Sequence, residues 1–441
     1  MFSKILIANR GEIAIRIIRA CREMGISTVV VFSEADRESL HVNLADESYC
    51  IGGALAKDSY LNMNAVLSAA IATKSEAIHP GYGFLSENPE FAKLCAANGV
   101  VFIGPEAETI SKMGDKDIAR RTMRDAGIPV IPGCDLLENL PHAKKEAEKI
   151  GFPLLIKARS GGGGKGIRLV NSIDELEQNY NAATSEAIAS FGDGAVYMEK
   201  YLQPVKHIEM QLLADNFGNV VCLGERDCSI QRNNQKLIEE SPAAIMPEET
   251  RKRMIETTIK AGATVGYRGA GTIEYLYDKD GNFYFMEMNT RLQVEHPVSE
   301  MVTLIDLVKW QIRVAAGIKL EFTQDEIEFQ GHAIECRINA EDPYRNFKPS
   351  YGTIEMLHVP NGPWVRFDTA IYQGYTIPPF YDSMIGKLIV FAKTRDEAIR
   401  KMKAALCELI IEGIIHNASF QEGILSSEKF VNSTYTTDVE H

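Results

Sequence analysis

Residues 272–298, TIEYLYDKDGNFYFMEMNTRLQVEHPV, concentrate more potential chemistry than any other stretch of this chain. Two runs rich in aromatic and β-branched residues flank Asp280-Gly281, a strong hairpin signal. A two-residue turn there sets Lys279 opposite Asn282, and counting outward sets Glu274 opposite Glu287. Side chains alternate along a strand, so Glu287 and Asn289 point the same way as Glu274. Facing carboxylates repel. A hard cation between them removes the repulsion, because Mg²⁺ takes oxygen ligands from carboxylates and substrate phosphates. An extended chain continues the same parity through Arg291, Gln293 and Glu295, which adds an anion binder, an amide and a base. The competing reading of this spacing is a solvated polar face.

A second feature is PLLIKARSGGGGKGIRLV, residues 153–170. Glycines bring backbone close to phosphate oxygens and leave N–H groups free to bind them. The run is not a Walker A loop, since no Gly-Lys-Ser/Thr follows at the required spacing. Strand, glycine flap, strand is closer to a kinase-type phosphate cover, with Lys157 on the preceding strand reaching the phosphates. A flexible surface loop is the alternative. Between the two features, Tyr197 to Leu202 reads as a strand running into a hinge whose backbone could meet an adenine edge. His207 lies in an alternating strand, and Gln231 and Lys236 sit in a polar run within a β-rich region.

Elements must hold these groups in place. The first hundred residues read as β-α repeats. KILIAN and STVVVFSEAD are strands, and the helix between them carries Ile13, Ile17, Ala20 and Met24 on one face and stops at Gly25. Further helices and strands follow to Pro105, which predicts a doubly wound parallel sheet. Its first turn, Asn9-Arg10-Gly11-Glu12, lacks G-x-G-x-x-G, so nicotinamide binding is a poor reading. The expected organisation is 1–112 as an N-terminal α/β domain and 113–330 as a nucleotide-binding region, with a lid lobe at about 131–201 and a central lobe at 202–330. A β-rich domain at 331–441 completes it. In that last part RDEAIRKMKAALCELIIEG reads as one amphipathic helix and STYTTDVEH as a frayed tail.

The 441 residues allow a large core. Eight scattered cysteines with no C-x-x-C pair argue against a disulfide framework or zinc site. A formal net charge of −13 argues against nucleic acid as the main partner. No apolar run approaches a membrane span, and MFSKILIANRGEIAI has no secretory pattern, so a cytoplasmic protein is expected.

Together, the glycine flap with its lysine, the hairpin, EMNTRLQVEHPVSE, ANRGEIAIRIIRA, IHPGYGFLSEN, ERDCSIQR…QK, YRGAGTIEYL, AIECRINAEDP and YDSMIGKL resemble biotin carboxylase, of the ATP-grasp superfamily. The resemblance is collinear from residue 2 to about residue 420. It implies nucleotide contacts from Lys116, Lys157, Gly163, Gly164, Glu199, Lys200, Leu202, His207, Gln231, Asn234 and Leu276. It implies Glu274, Glu287 and Asn289 as ligands of Mg²⁺ or Mn²⁺, as two ions. The bicarbonate and biotin pocket is implied to be Lys236, Arg291, Gln293, Val294, Glu295 and Arg337, with Tyr82 nearby. Glu295 would take the bicarbonate proton. Bicarbonate would then attack the ATP γ-phosphate to give carboxyphosphate, and Arg337 would steady the biotin enolate.

The match is incomplete in places. Arg232-Asn233-Asn234 replaces the usual Arg-Arg-His, leaving the Asn234 amide where the family has an imidazole. The flap has four glycines where a fifth is common. Arg19, Glu23 and Arg366 match the family's dimer surface, whereas Pro363 stands where Phe is common. Arg16, Arg19 and Glu23 recur at helical spacing opposite Ile13 and Ile17, so they are expected to meet a second copy. Another ATP-grasp ligase is disfavoured by the column Arg291, Gln293, Glu295 and Arg337, and a non-catalytic ATP-binding module by the presence of base and metal ligands together. No carboxyltransferase region or biotin-bearing turn is recognisable, since Met402-Lys403 lies within a helix. A separate biotin carboxyl carrier protein and separate carboxyltransferase subunits are therefore expected, with acetyl-CoA carboxylation for fatty acid synthesis as the leading context and pyruvate or another acyl-CoA as the alternative.

Overall fold

The structure, a computed structural model, describes residues 1–159, 166–232 and 235–437. Lys4–Ile7 forms the centre of a five-stranded parallel sheet with Ser27–Phe32 and Glu47–Cys50 on one side, and Ala77–His79 and Val101–Phe102 on the other. The order reverses at Lys4–Ile7, which makes a doubly wound sheet whose switch point opens a crevice at the strand ends. Asn9 closes the floor of that crevice by donating from Nδ2 to the carbonyls of Pro80 and Tyr82, both at 2.7 Å. Gly81, at φ +62°, permits this approach, because a Cβ there would lie 2.9 Å from Asn9 Nδ2.

A three-stranded antiparallel sheet follows, with Leu154–Ala158 between Ile167–Val170 and Val196–Lys200. Leu154, Ile156, Val170 and Met198 are fully buried against Ala143, Ala147, Leu176 and Ala183 of two helices, giving this lobe its own core. The third sheet is antiparallel and has eight strands. Its order is Phe283–Asn289, Gly269–Asp278, Val205–Ala214, Val220–Arg232, Gln235–Ser241, His332–Asn339, Met384–Ala392 and Val365–Thr369. The strands after residue 330 therefore continue the central sheet, because Gln235–Ser241 pairs with His332–Asn339. That pairing sets Lys236 and Arg337 on adjacent strands.

The hairpin reaches the expected register by an unexpected path. Its loop is three residues, Lys279-Asp280-Gly281, closed by Asp278 N–H donating to the Asn282 carbonyl at 2.9 Å. Gly281 takes φ +81° and the Asp278 carboxylate accepts from the Asp280 and Asn282 amides, a three-residue turn with a left-handed final residue. This shifts pairing by one, so Leu276 faces Tyr284. An irregularity between Phe285 and Glu287 then takes up one residue, Met286, and restores Glu274 opposite Glu287 and Thr272 opposite Asn289. Without that bulge Glu287 would point to the other face.

Two local expectations are corrected. The helix Arg395–Glu408 ends before the β-branched Ile410 and Ile411, which instead form a strand with Met356–His358. The tail is not frayed through residue 437. Tyr435 is buried, stacks on Phe430 at 5.3 Å and donates its hydroxyl to Glu240, while Lys206 lies 3.5 Å over its ring. Thr437 N–H then donates to the Val205 carbonyl at 3.0 Å. Tyr435→Ala should lower stability by about 3–5 kcal/mol, the usual cost of removing a buried aromatic ring. Urea unfolding measures it, and an unchanged midpoint would show that the tail does not hold the fold.

Candidate active site

The eight-stranded sheet turns one polar face towards a cavity of about 520 Å³. Lys116, His207, Gln231, Lys236, Glu274, Leu276, Glu287, Asn289, Arg291, Gln293, Val294, Glu295 and Arg337, all expected at the site, line it. At its back lies one buried cation among acids. Lys236 Nζ donates to Glu295 at 2.8 Å, to Glu274 at 3.1 Å and to Glu209. Burial disfavours the ammonium, but Glu209, Glu274 and Glu295 outweigh it and hold the lysine pKa well above its usual value.

Glu295 sits between Lys236 and Arg337, whose Nη2 donates to it at 2.9 Å, while Arg337 Nε donates to Glu239 at 2.6 Å. Burial pushes the Glu295 carboxyl up. Lys236 and Arg337 prevail against it and against the neighbouring Glu209, keeping the group ionised below its ordinary value. Arg291 is positioned from the N-terminal sheet, because Glu87 accepts from its Nε at 2.8 Å and from the Thr290 amide at 3.1 Å. Gln293 donates to Glu274 at 2.9 Å and accepts from Arg226 at 2.5 Å. Arg226 is completely buried and also holds Glu209, Gln211, Thr272 and Ser299. The fully buried Lys387 donates to the Val294 carbonyl at 2.6 Å and fixes the loop before the base.

The donor set on the hairpin fits a divalent cation. Glu274 and Glu287 face each other, and Glu287 opens to the cavity beside Lys116 at 3.2 Å. Asn289 lies next to Glu274, its amide donating at 2.8 Å and its oxygen accepting from Arg291 at 2.8 Å. Reversing that amide presents the oxygen to an ion. His207, Glu209 and Glu274 also converge closely enough to hold a metal, as do Glu209, Cys228 and Glu295. In both groups the Lys236 ammonium already bonds to the acids, so a second cation is disfavoured there, and the hairpin oxygens are the better site. His207 Nε2 lies 3.0 Å from Glu274. Burial lowers the imidazole pKa, but the charge of Glu274 and its bonds to Glu209 and Glu274 raise it to about 9.

Other expected residues lie apart. Lys157 and Glu199 pair at 2.5 Å in the lid lobe, and Lys200 donates to the Phe152 carbonyl at 2.8 Å, so none of these lines the cavity. Leu202, in the segment after Val196–Lys200, is also outside its lining. Gly163, Gly164 and Asn234 fall outside the described residues. Tyr82 belongs to a second cavity of about 590 Å³, which shares Arg291, Val294 and Arg337 with the first. The sequence reading missed Glu209, Arg226, Glu87, Lys387 and Thr437. Period-two spacing from His207 would have found Glu209. Glu87 and Thr437 arrive from remote segments and leave no local signal.

A cavity on one face of an antiparallel sheet, lined also by Ile167 of the three-stranded lobe and by the two hairpin carboxylates, defines an ATP-grasp enzyme. The chain matches the family descriptions Biotin carboxylase, N-terminal domain over residues 1–110, Carbamoyl-phosphate synthase L chain, ATP binding domain over 115–323, and Biotin carboxylase C-terminal domain over 335–439. It is 55% identical to Biotin carboxylase 1 of Bacillus subtilis (strain 168) across 99% of this chain and 98% of the relative. A biotin carboxylase–beta-gamma-ATP complex from Campylobacter jejuni superposes with TM-score 0.96 at 51% identity, covering 99% of this chain and 98% of the other. The biotin carboxylase domain dimer of Hydrogenobacter thermophilus 2-oxoglutarate carboxylase, in complex with MgADP, ADP and bicarbonate, gives 0.95 at 49% identity, covering 99% and 96%. The chain belongs to the biotin carboxylase family and is an ATP-dependent ligase.

Glu287→Gln leaves the hairpin intact but removes one ligand charge. Affinity for Mg-nucleotide should fall by at least the ~10–100-fold that weaker perturbations of metal sites produce, with turnover nearly lost. Titration with Mg²⁺ and a fluorescent nucleotide checks it, and unchanged metal dependence would remove Glu287 from the ligand set.

Proposed function

We propose that this chain carboxylates biotin carried on a separate biotin carboxyl carrier protein, with Glu295 as the base. One observation carries the reading: the two cavities meet at Arg291, Val294 and Arg337, and Arg337 bonds to Glu295 there. ATP and a divalent cation occupy the first cavity, against Lys116, His207, Gln231, Leu276, Glu274, Glu287 and Asn289. Biotin enters through the second, beside Tyr82. Bicarbonate lies at the junction, against Arg291, Lys236 and Arg337. As the bound substrate anion shares the charge of Lys236 and Arg337 where they stand, the two cations that depress the Glu295 pKa weaken their hold. Its proton affinity rises when a bicarbonate proton must be taken. The bound ion neutralises charge building on the transferred phosphoryl group.

The lobe at about 131–201 closes over the nucleotide, carrying Lys157, Glu199, Lys200 and Leu202 inward and excluding water that would destroy carboxyphosphate. Domain limits near 112 and 330 belong to the same reading, supported by family matches that end at 110 and resume at 115, and end at 323 and resume at 335. The carboxylated carrier serves carboxyltransferase subunits in the cytoplasm, with acetyl-CoA as the first acceptor to test and pyruvate or another acid as the alternative. Among the described residues no helix is long and apolar enough to cross a membrane.

A homodimer belongs to the same reading, supported by the dimeric relative. Arg16 does not face a partner as expected, because it is buried between Glu300 and Asp306, both at 2.8 Å. Glu23 meets Lys309 at 2.5 Å, and Arg366 meets Asp368 at 2.6 Å and Glu300 at 3.0 Å. With these charges satisfied within the chain, the apolar groups around them matter more. Leu304 is 67% exposed, and Trp364, next to Pro363, is 56% exposed, offering the aromatic anchor absent at 363.

Two outcomes follow. Glu295→Ala should bind ATP yet lose bicarbonate-dependent ATP cleavage by ~10²–10⁴-fold, the usual range for a positioned base. Near-normal cleavage would exclude the assignment. Leu304→Asp should sediment as a monomer with nucleotide binding retained, whereas a native chain that sediments as a monomer in low salt would contradict the dimer.

A further inference from the structure

Behind the base, the antiparallel pairing of Gln235–Ser241 with His332–Asn339 sets Glu239 directly opposite Glu335. Both are fully buried. Glu239 Oε1 accepts from Arg337 Nε at 2.6 Å, whereas its Oε2 and both Glu335 oxygens lack a hydrogen-bond partner among the described residues. Three bare carboxylate oxygens in a sealed layer cannot all remain charged, since a buried unpaired carboxylate is expensive and cross-strand like charges repel. The hairpin carboxylates Glu274 and Glu287 also face each other, but they border an open cavity that suits a cation. Here there is no such opening.

We propose that Glu239 and Glu335 share one proton, with Glu335 held as the neutral acid and donating to Glu239 Oε2, so that Glu239 serves as the positioning residue for Arg337. No bond other than that O–H is involved, and the proton stays within the pair through turnover. Glu239 fixes Arg337 from behind while Glu295 meets it from the front. The guanidinium thereby keeps its place when Glu295 becomes protonated and releases it. A second full charge at Glu335 would compete for Arg337 and Lys387 and pull both out of line. This role rests on the assignment of Glu295 and Arg337 above.

The surroundings agree. Lys387, paired with Arg337 on the neighbouring strand, acts on Glu335 from one side, Arg337 from its own strand and Glu239 from directly opposite, while Lys236 acts on Glu239. Glu295 and the buried His296 and Glu300 come from the loop and helix packed over the sheet. Arg366 and Asp368 lie on the strand beyond Lys387, with Glu12 and Arg16 on the helix Gly11–Glu23. Burial raises the Glu335 carboxyl well above its usual value, Lys387 and Arg337 opposing the rise and Glu239 and Glu295 adding to it. Burial also raises Glu239, to about 7, despite Arg337. A carboxyl raised on folding contributes stability below its unfolded pKa of ~4.3 and loses it as pH climbs through the folded value. The pair should therefore weaken the native state progressively from about pH 5 to beyond pH 7.

Infrared spectra of the unliganded chain at neutral pH test the pair directly. A native-minus-Glu335→Gln difference spectrum should show a lost protonated-carboxyl stretch, with the contribution of the buried Glu12, itself raised to about 7, cancelling between the two. The same variant should lose the native decline of Tm with rising pH, gaining on the native protein towards pH 9. Glu239→Gln should cut biotin-dependent turnover roughly tenfold or more, as misplacement of an oriented group does, with KM for ATP unchanged. A difference spectrum with no lost protonated-carboxyl stretch, or native turnover in Glu239→Gln, would overturn the proposal. Because the spectrum is read without substrate, it stands apart from the Glu295 assignment, which the Glu295→Ala assay decides alone.

Discussion

One ammonium among three carboxylates organises this protein. Lys236 bonds to Glu209, Glu274 and Glu295, which come from two strands and a loop that the chain brings together from distant positions. Each buried acid would be costly alone, and removing the cation would leave all of them uncompensated. Charge balance therefore sets a condition that the strands have to meet. Arg226 answers for the remaining side of Glu209, Arg337 for Glu295, and His207 for Glu274. The result is a pocket whose charged groups are already held in place before a substrate arrives, while the Asn289 amide must still turn to offer its oxygen to an ion.

Backbone register delivers those charges. A one-residue slip in the hairpin would turn Glu287 and Asn289 away from Glu274, and the Met286 bulge prevents it. The continuity of the eight-stranded sheet has the same effect on the other flank, where Arg337 reaches Glu295 because its strand pairs with the strand of Lys236. The N-terminal sheet contributes through its switch-point loops and through Glu87, which anchors Arg291. Two sheets thus converge on one junction of two cavities.

Much of this could be read from residue patterns, because alternation and β-α repetition are local. Glu274, Glu287 and Asn289 fell on one face by counting, although the turn that produced the count was wrong and a compensating bulge rescued it. Such bulges have no local signature. The tail was misread for a related reason: STYTT is polar and short, and Tyr435 gains its burial only from Phe430, Lys206 and Glu240. Glu335 shows the same limit, since a glutamate in HAIECRIN gives no hint that another faces it from a strand nearly a hundred residues away. Helical spacing correctly separated Arg16 and Arg19 from the Ile13 face but could not tell a solvated arginine from one buried against Glu300.

Bicarbonate attack on ATP in this pocket is the step that lets biotin be carboxylated. The direct measurement is the fate of heavy-oxygen-labelled bicarbonate during ATP cleavage by the isolated chain with Mg²⁺ and free biotin. Expected are no cleavage without bicarbonate, faster cleavage with biotin, and one labelled oxygen transferred into each inorganic phosphate. Phosphate carrying oxygen from water instead, at a rate indifferent to bicarbonate, would contradict it.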